Sequence, residues 1–143
     1  MLNLQLLKRL PTDVFNTHIL PFTYKTKPKS LLMDIRSYKT DYSFLQNVYV
    51  YDYNELILIY DLTKFCNDDI APIYGIEPSY ADILRRSVIL SGSTDDELLK
   101  FVFGKFNRNI TRSPERISRI LWGLLTPQER TSFINKYCIS HFE

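Results

Sequence analysis

The side chains here with the chemistry for catalysis or metal binding are Cys66, Cys138, His18 and His141. A structural zinc site draws its four ligands from two close pairs. These four do not make two such pairs, so the sequence predicts no metal site. A Cys–His nucleophile pair can meet only in the fold, yet Cys66 sits in KFCNDD. Neighbouring carboxylates raise a thiol pKa and work against a reactive thiolate. His18 stands beside Ile19 with no nucleophile near it in sequence. The glycines Gly75, Gly92, Gly104 and Gly123 are isolated and form no phosphate loop. The expectation is a protein that is not an enzyme and takes no cofactor.

A second cluster is basic. Lys105, Arg108, Arg112, Arg116 and Arg119 recur every three to four residues in KFNRNITRSPERISR. If the segment is helical, Arg112, Arg116 and Arg119 share a face opposite Ile117, Ile120 and Leu121. Two readings follow: the solvated side of an amphipathic helix, or a phosphate-binding strip of Arg108, Arg112, Arg116 and Arg119. The first is preferred. The formal net charge is only +2, and the strip has no interleaved aromatics for base stacking.

These groups must be carried by helices. A chain of 143 residues, 45% hydrophobic and 24% charged, fits a single domain with its own core. No apolar run is long enough to cross a bilayer, and MLNLQLLKRL lacks the features of a signal peptide. The expectation is a soluble intracellular protein with two buried free thiols. Pro11 suits the first turn of a helix carrying Val14, Phe15 and Ile19 that ends before Pro21. Pro28 opens a longer helix with Leu31, Leu32, Ile35 and Tyr38 in helical register.

Residues 47–62 allow either a hairpin turning at Asp52–Asn54 or a helix capped by Asn54, with Leu56, Ile59, Tyr60 and Thr63 as its stripe. The helix is preferred because no Asn-Gly or Asp-Gly supplies a tight turn. Ser79 with Asp82 suggests a capping box ahead of Tyr80, Ile83, Leu84 and Val88. Thr94 with Glu97 and Thr126 with Glu129 fit the same pattern, and Ser113-Pro114 opens another helix. Trp122 is expected to be buried at the corner of the last two helices. The fold class predicted is all-α: a compact bundle of six or seven short helices in one domain (1–143), with 10–45 as its N-terminal part and 53–143 as its C-terminal part.

The stretch LPTDVFNTHIL resembles a shortened F-box, whose first helix begins Leu-Pro-x-acidic followed by aliphatics. Leu31, Leu32 and Ile35 stand where that motif has its second aliphatic group. The resemblance implies docking onto a Skp-type adaptor of cullin ubiquitin ligases through Leu10, Pro11, Val14, Phe15, Ile19 and Leu20. The polar insertion TYKTKPK departs from the motif's usual compact turn. Nearly the whole chain is similar to small F-box-like proteins of giant DNA viruses. The likeness lies in LPTDVFNTHILPFTYKTKPKSLLMDIRSY, YDLTKFCNDD, IYGIEPSYADILRRSVIL and ISRILWGLLTPQERTSFI. Ten tyrosines, nine phenylalanines and fourteen isoleucines, all with AT-rich codons, agree with such an origin.

The resemblance implies a non-enzymatic interaction module in the host cytoplasm or virion, whose partner is a host adaptor or a viral structural protein. The other readings are a virion-associated structural protein (minor capsid or internal component) and, at lower weight, a nucleic-acid-associated protein.

Overall fold

The computed structural model describes residues 11–19, 27–51, 54–107 and 113–140. Among these there are seven helices and no strand, an all-α fold. The chain forms two compact units, Met1–Leu32 and Met33–Glu143.

In the first unit, Pro11 precedes helix α1 (12–19), which starts as α at Thr12–Val14 and widens to π geometry over Phe15–Ile19. Thr17 Oγ1 bonds back to the Asp13 carbonyl. Helix α2 (Lys29–Tyr51) starts here, with the Pro28 carbonyl accepting from Leu32 N–H at 3.1 Å.

With 23 residues, α2 is not one of the short helices expected. Nothing in KSLLMDIRSYKTDYSFLQNVYVY breaks a helix, since the run lacks both proline and glycine. Its inward stripe is Tyr38, Tyr42, Leu45 and Tyr49, spaced four, three and four. Helix α3 (Glu55–Cys66) follows, with Asn54 capping Ile57 N–H at 3.0 Å. Residues 47–51 and 55–62 are therefore helical, and the hairpin alternative falls.

The buried face of α3 is Leu58, Leu62, Thr63 and Cys66, whereas Leu56 and Tyr60 are 64% and 52% exposed. Every residue from 56 to 60 is apolar, so periodicity alone could not choose the face.

After α3 the chain turns through two left-handed residues, Asp68 (φ 52) and Asp69 (φ 65). Asp69 N–H closes onto the Lys64 carbonyl at 2.8 Å, the bond of a Schellman-type helix end, here with Asp in place of the usual Gly. Buried Asn67 then organises the loop that follows. Its Nδ2 donates to the Ile70 and Gly75 carbonyls, both at 2.9 Å, and its Oδ1 accepts from Glu77 N–H at 2.6 Å. Gly75 has φ 125, a conformation that L side chains rarely adopt. Within this loop Pro72–Tyr74 form one 3₁₀ turn.

Helix α4 (Pro78–Arg85) is not capped by Ser79 as expected. Pro78 takes the first helical position and Glu77 the cap position, which moves Ser79 inside the helix. There its hydroxyl donates to the Cys66 carbonyl at 3.0 Å, satisfying an acceptor left open at the end of α3. The helix stops at Arg85, so Val88 lies outside it and is exposed rather than in the stripe.

Helices α5 (95–107) and α7 (127–139) each begin with a complete capping box, Thr94–Glu97 and Thr126–Glu129, and each finishes in π geometry. Between them α6 (Pro114–Leu124) starts at Ser113, which caps Arg116 N–H at 3.3 Å. Helix α3 packs most extensively on α6. Their shared core adds Tyr80 and Leu84 from α4, Leu98 and Val102 from α5, and Phe133 from α7. Trp122 is wholly buried, edge-on to Phe133 at 5.8 Å, with its indole N–H donating to the Tyr38 carbonyl at 3.3 Å.

Candidate interaction surfaces

The reactive groups are the first to be excluded as a site. Cys66 and Cys138 are free and buried. Burial pushes the Cys66 thiol up to about 12, with Glu129 adding to the shift and Arg86 opposing it. Asp68 and Asp69, the neighbours in sequence, are not what raises it. Burial likewise raises Cys138 to about 11. Neither thiol can supply thiolate near neutral pH.

His18 Nδ1 pairs with Thr17 Oγ1 at 2.7 Å on an exposed turn, and His141 lies outside the described residues. Among the described residues no three His, Cys, Asp or Glu side chains could hold a metal ion together.

Of the basic strip, Arg108 and Arg112 lie outside the described residues, while Arg116 and Arg119 are exposed on α6. Arg119 is engaged by Glu115 one turn before it, and its guanidinium lies 5.7 Å from the centre of the Tyr42 ring. Both arginines line a shallow depression of about 360 Å³ with Glu115, Ser113, Tyr38 and Ile120. A carboxylate in the same depression offsets its positive charge and makes it a poor phosphate seat.

Among the predicted docking residues, Pro11 and Val14 are exposed. Leu10 and Leu20 lie outside the described residues, as do the side chains of Phe15 and Ile19. Leu31 and Leu32, at the start of α2 in the same unit, are exposed aliphatics. The chain matches no known family model, no curated protein and no solved structure. Function is therefore read from the surface alone.

The second unit carries an apolar surface that the sequence reading did not single out. A groove of about 380 Å³ runs between α3 and the 3₁₀ turn, lined by Leu56, Ile59, Tyr60, Thr63, Pro72 and Ile73, with Ala71. Beside it project Ile73 and Tyr74, 71% and 84% exposed. A signal was present: an Ile-Tyr pair between Pro72 and Gly75 puts large apolar side chains in a loop, where no helical stripe can bury them.

Among the described residues no helix is long and apolar enough to cross a membrane.

Proposed function

We propose that this chain is a non-enzymatic protein–protein interaction module of a giant DNA virus, acting as an F-box-like adaptor for a Skp-type ubiquitin-ligase component. The observation that carries this reading is the exposure of Val14, Leu31 and Leu32 in the N-terminal unit. They stand at the two aliphatic positions of the motif, and water-exposed aliphatics on helices are what a partner groove takes up.

The test is binding of the purified chain to a purified Skp-type adaptor, followed by calorimetry. Saturable binding that Val14→Asp or the double change Leu31→Asp and Leu32→Asp weakens by about tenfold or more supports the adaptor role. Absence of binding by the intact chain ends it.

The second reading, a virion-associated structural protein, is favoured by the apolar face of Ile73 and Tyr74, since assembly components carry such faces for their neighbours. Detection of the chain in purified virions, with no adaptor recovered from infected cells, would decide for it.

A further inference from the structure

We infer that the groove between α4, α5 and α6 binds an unbranched aliphatic carboxylate of about eight to ten carbons, with its head group on Arg116. Helix α6 sets the length of the site. Arg116, Ile120 and Leu124 are spaced four and four, so they form one stripe along the helix, cationic at its start and apolar beyond. From Arg116 to Leu124 that stripe runs about 12 Å. An extended hydrocarbon chain advances roughly 1.3 Å per carbon, which gives the chain length.

The rest of the lining is apolar and fixed by the core. Leu84 from α4 and Leu90 from the turn after it are buried and make the floor. Half-buried Phe101 of α5 closes one side, and Ile120 stays 38% exposed on the other. The groove holds about 300 Å³, the small end of ligand sites. That is room for one aliphatic chain and not for a helix of another protein, which is about 10 Å across.

Charge selects the head group. Arg85, Arg86, Arg119 and Arg130 each have a carboxylate partner, at Asp95, Glu129, Glu115 and Asp34. Arg116 has none among the described residues. Its neighbour Glu115 is taken by Arg119, so one uncompensated positive charge stands at the end of the apolar stripe. A guanidinium offers a carboxylate two parallel hydrogen bonds, a fit that an alcohol or an ammonium head cannot reproduce. The inference does not rest on the adaptor reading, which uses the other unit.

Calorimetric titration of the full chain with octanoate, decanoate and dodecanoate, each below its micellar concentration, tests it. Saturable one-to-one binding should tighten about fourfold per added methylene up to decanoate, and gain little beyond it. Decanol and decyltrimethylammonium should each bind about tenfold more weakly than decanoate. Arg116→Gln should erase the preference for decanoate over decanol. Ile120→Trp, which fills the groove from a partly exposed position, should weaken decanoate at least about tenfold while circular dichroism stays unchanged. Ile89→Asp, at the exposed rim, gives the same reading if the tryptophan variant does not fold. Binding that never saturates, that ignores the head group, or that survives both Arg116→Gln and the groove variants overturns the proposal.

Discussion

Arg130 Nη1 donates to Asp34 twice, at 3.0 Å to the carbonyl and 2.7 Å to the carboxylate, across 96 residues of chain. The Arg130 side chain is 1% exposed, and several partners take up its Nε, its Nη1 and its flat face. Its Nε donates to the Trp122 carbonyl at 3.0 Å, and the cation lies 5.5 Å from the Tyr38 ring centre and 5.9 Å from that of Trp122. One side chain of α7 thus joins α2 and α6, through charge, backbone acceptors and ring faces together.

That arrangement predicts strong coupling between the two residues. Asp34→Asn leaves the guanidinium buried without its counter-charge. Because the Asp34 side chain is itself partly exposed, the loss should be about 2–3 kcal/mol, below the range for a fully buried pair. Arg130→Met should cost a similar amount, since it releases the Trp122 carbonyl and both ring contacts. The double variant should lose clearly less than the sum of the two. Urea unfolding of the four proteins measures this, and strict additivity would show that the pair is not coupled.

The sequence reveals some of these features and conceals others for definite reasons. Helix starts are local: Asn54, Thr94, Ser113 and Thr126 each cap a residue three positions on, so a few letters suffice to recognise them. The burial of Trp122 follows from its size alone. Arg130 is different. In TPQERTSF it reads as a solvated helix position, and only Asp34, Tyr38 and Trp122, brought in from elsewhere, make its burial tolerable. The same holds for the face of α3, where an unbroken apolar run leaves the choice to α6. Ser79 misleads because proline at a first helical position outweighs a serine cap one residue later. The interaction surface follows this pattern, since Leu56 and Ile73 meet only through the turn that Asn67 shapes.

The raised thiols predict an alkaline limb in stability. Below about pH 8.5 the thiols are protonated in both native and unfolded chains and contribute no slope. Above it the unfolded chain releases those protons, while the native chain holds them up to about 11 at Cys138 and about 12 at Cys66. The unfolded state then binds fewer protons, so stability falls as pH rises through this window. Cys66→Ala should reduce that slope by up to ~1.4 kcal/mol per pH unit between pH 9 and 11, whatever constant offset the lost sulfur adds. Guanidinium unfolding at fixed pH steps reads the slope directly. An unchanged slope would mean that the Cys66 thiol titrates normally in the fold. Native protein at pH 8 should also resist a thiol reagent that labels both cysteines once it is unfolded.

Asn67 offers the sharpest single-residue test of how the loop is built. Its amide satisfies two carbonyls and one N–H in a site with no exposure to water. Asn67→Ala strands all three backbone groups. At about 1–3 kcal/mol for an unsatisfied buried group, and with relaxation letting water reach some of them, the expected loss is about 2–4 kcal/mol. Asn67→Asp keeps the acceptor for Glu77 N–H but turns a charged oxygen toward the Ile70 and Gly75 carbonyls, so it should not rescue the fold at neutral pH. Limited proteolysis should then cut between residues 68 and 76 before any other described segment. A variant that is protease-resistant and fully stable would mean that the 3₁₀ turn and Gly75 hold the loop without Asn67.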